Sequence, residues 1–96
     1  SPPRIMKYGT RVRMIMENQP DFRPYPRYRW IGTIVTHSNE KYQKDPSNKV
    51  EVEFAKIPSQ RDHSSLYGYG KSVPYAIKYL EEISEDEFQT QILLES

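Results

Sequence analysis

A mainly β fold, an antiparallel barrel of about five short strands with a short C-terminal helix, follows from three features of this 96-residue chain. Apolar and polar residues alternate in several short runs, the pattern of half-buried strands. Eight prolines and four glycines punctuate the stretches between them, and both residue types are unfavourable inside helices. A single helix-start signal stands near the end, where Ser84 is followed three residues later by Glu87.

The elements can be placed in order. Ser1 to Ile5 have no periodicity and read either as a non-native leader, with Met6 as the natural start, or as the edge of a domain excised from a longer protein. Residues 1–8 are therefore expected to be a tail. From Arg11 to Met16, Val12, Met14 and Met16 alternate with Arg11, Arg13 and Ile15, which predicts a first strand. Asn18 to Pro26 holds Pro20, Pro24 and Pro26, so neither a helix nor a central strand fits there. Tyr28 to Thr36 predicts a second strand in which Gly32 marks a bulge or bend.

Ser38 to Lys49 is polar, with a turn at Asp45-Pro46-Ser47-Asn48. Val50-Glu-Val-Glu-Phe54 is the cleanest strand, with Val50, Val52 and Phe54 directed inward. Pro58 to Pro74 is a polar stretch long enough for a functional loop. Tyr75 to Leu80 reads as a strand, with a helix as the competing assignment. Ser84 then caps a helix over Glu85 to Leu94, whose three leading acids suit the positive end of its dipole and whose Phe88 and Ile92 share one face. The expected organisation is a tail (1–8), a barrel (9–83) and a helix packed on it (84–96).

Composition narrows the functional classes. The chain is too short for a two-lobed enzyme and has no run near the roughly 20 apolar residues of a spanning helix. Without cysteine it holds no disulfide scaffold, Cys-ligated zinc or thiol nucleophile. At 35% hydrophobic and 28% charged, it reads as a small soluble intracellular domain, cytoplasmic or, in a eukaryote, nuclear.

The net charge of +1 hides an asymmetry. Residues 1–50 hold ten Lys/Arg against four acids, while residues 51–96 hold four against nine. Such a division marks a polyanion-binding face unless the fold mixes the halves and cancels it. Acids such as Glu51, Glu53, Glu81, Glu82 and Glu85 to Glu87 would then form either a face that repels nucleic acid or a solvated, helix-capping surface.

The basic part concentrates in Phe22-Arg-Pro-Tyr-Pro-Arg-Tyr-Arg-Trp30. Arginine forks suit phosphate, aromatic faces accept stacked bases, and prolines reduce the entropy lost on ordering. Arg23, Tyr25, Arg27, Tyr28, Arg29 and Trp30 are the candidate binding residues here; the competing reading places Tyr28 and Trp30 in the core and leaves the arginines solvated. A second segment, Leu66-Tyr-Gly-Tyr-Gly-Lys71, adds Tyr67, Tyr69 and Lys71, with a plain hairpin loop as its alternative. Arg11 and Arg13 extend the patch if their strand face is exposed.

Catalysis finds little support. His37 and His63 lack the spacing of a metal pair, and no nucleophile elbow is present. Asp62-His63-Ser64 contains the letters of a triad, but triad members converge in space and not as chain neighbours. No cofactor and no catalytic residue is expected.

Gly9-Thr-Arg-Val-Arg, Gly32-Thr-Ile-Val, Val50-Glu-Val-Glu-Phe and Leu80-Glu-Glu-Ile together resemble an SH3-like barrel of the KOW and Tudor-type group over residues 9–83. Gly9, Arg11, Met14 and Glu17, then Arg29 followed by Gly32-Thr-Ile-Val35, are similar to the Tudor-like ancillary domain of plant auxin response factors, and the glycine, Gly-Thr-Val and Val-x-Val-x-Phe rhythm also resembles a photosystem I accessory subunit. Contexts so different imply a shared fold and not a shared partner. The expectation is a non-enzymatic, largely sequence-tolerant DNA- or RNA-binding domain, an accessory factor in transcription or nucleic-acid metabolism. The alternative is a protein-interaction module: a Tudor-like peptide or methyl-lysine reader, or an adaptor docking an acidic partner.

Overall fold

The computed structural model describes residues 6–16, 27–36, 43–60 and 72–95. Its strands are β1 (Arg11–Met14), β2 (Ile31–Ile34), β3 (Lys49–Phe54), β4 (Ser72–Ala76) and β5 (Leu80–Glu82), followed by helix α1 (Glu85–Glu95). All pairings are antiparallel, in the order β4-β3-β2-β1-β5. The mainly β class, the five strands and the terminal helix are as the sequence predicts.

Closure is not. Among the described residues β4 and β5 are the free edges of one sheet, not partners in a closed barrel. Only Ile77–Tyr79, a 3-10 turn, separates them in sequence. In a flat sheet four interstrand steps would put these edges about 19 Å apart, whereas four Cα steps reach at most about 14 Å. The sheet therefore coils until its edges approach, and the turn spans the gap through other partners. The amides of Ile77 and Lys78 donate to the carbonyls of Asn48 and Pro46, both at 2.9 Å, and Ile15 N–H donates to Tyr79 O at 2.8 Å. The expected strand over Tyr75 to Leu80 is accordingly split by that turn.

Inside the coil lie Met6, Val12, Met14, Ile34, Val50, Val52, Tyr75, Ile77 and Leu80. A second cluster, Ile31, Ile57, Ile83 and Phe88, fills the space between the sheet and α1. Alternation makes both possible, since each strand gives one side to the first cluster and frees the other. Ser84 starts the helix as expected, its Oγ accepting from Glu87 N–H at 3.1 Å. The Asp45–Asn48 turn also forms: Ser47 N–H and O–H donate to Asp45 Oδ1 at 2.9 and 2.8 Å. These bonds, the backbone one foremost, hold the Asp45 carboxyl below its usual range.

Gly32 is not the bulge. It pairs regularly with Val12 and Phe54, and a Cβ there would lie 2.8 Å from Glu53 O and 2.9 Å from Val52 Cγ1. Glycine is required because the neighbouring strand crosses so closely. The bulge comes earlier. Arg29 N–H donates to Met14 O and Met14 N–H donates to Trp30 O, both at 2.9 Å, so two residues face one. The strand expected from Tyr28 consequently starts only at Ile31.

Candidate nucleic-acid interface

Two groups of arginines separate in the fold. Arg11 and Arg13 point outward from β1, where the first turn of α1 meets them. Arg11 Nε and Nη2 donate to the two carboxylate oxygens of Glu85 at 2.8 and 3.2 Å, and its Nη1 donates to Thr33 Oγ1 at 2.6 Å. Its guanidinium also lies 4.1 Å from the centre of the Phe88 ring. Arg13 pairs with Glu87. Helix acids thus engage both arginines of this strand face, while Arg13 also lines the concavity that Tyr28, Arg29 and Trp30 share. Arg11 chiefly, and then Gln89, hold the Glu85 carboxyl down at about 2, while Glu85 raises the Arg11 guanidinium above its usual value.

Arg27 and Arg29 lie on the turn that enters β2. Trp30 N–H closes it by donating to Arg27 O at 3.1 Å. Arg29 takes φ +67°, the left-handed region that costs a side-chain-bearing residue about 1–2 kcal/mol. That backbone forms the bulge and leaves Arg29 exposed. Its guanidinium lies 5.9 Å from the Tyr28 ring centre, and that of Arg27 lies 5.9 Å from the Trp30 ring centre, at the outer limit of a cation–π contact. Trp30 is half-buried and meets Phe54 edge-on at 5.2 Å; Phe54 in turn meets Tyr75 at 5.6 Å. Trp30 therefore has one edge in the core and part of its ring outside, between the two sequence readings.

The turn stands between two concavities. One, of about 310 Å³, is lined by Tyr28, Arg29 and Trp30 together with Ser59, Gln91 and Glu95. The other, of about 330 Å³, has Met16, Tyr75 and Tyr79 between Arg27 and Lys49. Of the candidate residues, Arg27, Tyr28, Arg29 and Trp30 are brought together; Arg23, Tyr25, Tyr67, Tyr69 and Lys71 lie outside the described residues, as do both histidines.

Two residues without a sequence signal hold this region in place. The buried Gln60 side chain accepts from Ile31 N–H at 2.7 Å and donates to the carbonyls of Ile31 and Ala55 at 2.9 and 3.0 Å. It acts as a short extra strand beside the start of β2. Gln43, also buried, exchanges bonds with both backbone groups of Met6. Hydrophobic periodicity reports side chains that face side chains, and these amides face backbone.

Among the described residues no group of three or more His, Asp or Glu side chains is placed to hold a metal ion, and no helix is long and apolar enough to cross a membrane. No family model, curated protein or solved structure matches this chain.

Proposed function

We propose that the chain is a non-enzymatic nucleic-acid-binding domain, largely indifferent to sequence, that grips phosphates through the turn at Arg27–Trp30. One observation carries this reading. Arg29 is exposed, has no ion-pair partner among the described residues, and is held in a strained backbone conformation beside two half-exposed rings. Strain retained by a fold is a pointer to function, and an unpaired guanidinium beside aromatic faces suits phosphate and stacked bases. The arginines of β1 are neutralised internally, so the turn concentrates positive charge. The coiled five-stranded sheet supports the SH3-like reading of residues 9–83, and the chain positions of Arg23 and Tyr25 would extend the same basic and aromatic segment.

Fluorescence anisotropy with labelled oligonucleotides tests the proposal. Binding is expected at low salt and weakens about tenfold or more over a fourfold rise in salt, as two or more phosphate contacts require. Absence of binding to both single- and double-stranded DNA and RNA at low salt would overturn it.

A second reading is favoured by the other concavity, where Arg27 and Lys49 flank an apolar and aromatic floor. That arrangement suits an acidic protein segment better than a methylated lysine. Tyr75 is only 6% exposed, and Tyr28 and Trp30 already face guanidinium groups that repel a further cation.

A further inference from the structure

The cavity of about 310 Å³ lies between the bulged turn, the 3-10 turn at Pro58–Gln60 and the C-terminal half of α1. It is at the small end of ligand sites, with room for one planar heterocycle. Tyr28 and Trp30 supply ring surface, and Ser59 and Gln91 supply hydrogen-bonding groups. Its lining also contains a carboxylate, Glu95, to which Gln91 Nε2 donates at 3.2 Å, and the guanidinium of Arg13, which Glu87 already pairs. With Arg13 engaged by Glu87, Glu95 opposes a phosphate deep in the cavity, whereas the neutral edge of a base meets no such repulsion. Arg29, exposed on the same wall, offers its charge to a phosphate at the mouth.

We propose, resting on the nucleic-acid reading, that this cavity takes one unpaired base of a single-stranded nucleic acid against Tyr28 and Trp30, with the adjoining phosphate on Arg29. A duplex hides its bases in the stack and can offer the turn only its backbone, so single strands are the preferred ligand. Stacking of one base is worth enough to make that preference roughly tenfold.

Trp30 is the only tryptophan in the chain, so its fluorescence reads the stacking directly. The protein is titrated at low salt with a short single strand, the same strand annealed to its complement, and an abasic sugar–phosphate strand of equal length. The single strand quenches Trp30 emission and binds about tenfold tighter than the other two. Ser59→Phe, which places a ring in the cavity at an exposed position, removes the preference while duplex affinity stays within about twofold. Equal binding of all three ligands without quenching, or a preference that survives Ser59→Phe, overturns the base site and leaves the nucleic-acid reading standing. Failure of every ligand to bind removes both.

Discussion

The outer side of β1 and the turn before β2 each present two arginines within the same basic half of the chain, and the fold treats them differently. Arg11 and Arg13 are held by Glu85 and Glu87, with Arg11 also stacked over Phe88. Arg29 has no carboxylate partner among the described residues, and Arg27 lies near an aromatic ring and the mouth of a cavity. Charge counted along a sequence is therefore not charge offered to a partner. The first pair cancels part of the asymmetry by joining the basic half to the acidic half across 74 positions. Arg29 keeps its charge at the surface, where ionic attraction is long-ranged and sensitive to salt.

The comparison breaks most visibly if stability and binding cannot be separated. Phe88→Ala removes a buried ring from the second core cluster and the surface beneath Arg11. It is expected to lower unfolding free energy in urea by about 3 kcal/mol or more, while oligonucleotide affinity of the folded protein stays within about twofold. Affinity that falls in step with stability would show that the turn depends on the helix clamp.

The next effect runs the opposite way. Replacing Arg27 and Arg29 together by alanine is expected to weaken oligonucleotide binding about tenfold, roughly 1.4 kcal/mol, with the urea midpoint nearly unchanged. Arg11→Gln, outside the cavity that Arg29 lines, should lower the midpoint and leave affinity almost intact. Anisotropy and urea titrations of both variants expose any exchange of roles.

Arg29→Gly sharpens the contrast within one residue. Glycine takes a positive φ without the Cβ penalty, so the variant should gain about 0.5–1 kcal/mol of stability after the entropy of the unfolded glycine is counted. It should also lose several-fold in affinity. A variant that is less stable in urea would place the value of Arg29 in its packing and not in binding.

Acid titration gives the smallest effect. The Glu85 carboxyl is lowered from 4.5 to about 2 by Arg11 and Gln89. An unfolded chain binds this proton more readily than the native one, so the contribution is complete above about pH 4.5 and is lost as pH falls toward 2. Thermal midpoints of Glu85→Gln should fall less steeply over that window than those of the parent. Parallel slopes would mean that the clamp does not rest on Glu85.

Some of this was legible in the chain and some was not, for physical reasons. Val50 to Phe54 declares itself because a sheet with one side in the core demands strict alternation. The helix declares itself because an N-cap is a local event, readable from Ser84 and Glu87. The break at Ile77 did not show, because the apolar Tyr75, Ala76 and Ile77 fit a strand, while the turn depends on carbonyls of Pro46 and Asn48 far back in the sequence. The start of β2 was read three residues early for a related reason. Tyr, Arg and Trp all suit a strand, and nothing in Tyr28-Arg29-Trp30 announces a left-handed arginine. At the candidate site, the proximity of Arg27, Tyr28, Arg29 and Trp30 was readable because they are chain neighbours. The partners of Arg11 and Arg13 were not, since only the folded topology brings α1 to β1.

Gln60 has a consequence for how this protein ages. Its side-chain nitrogen donates to two backbone carbonyls, those of Ile31 and Ala55. Deamidation would replace that nitrogen with an oxygen of almost the same shape and turn both attractive contacts into repulsive ones inside the fold. The damage would fall where β2 begins, beside the bulge that sets Arg29. Exchange of one ammonia for one water, nearly invisible by volume, would thus loosen the turn that presents Arg29.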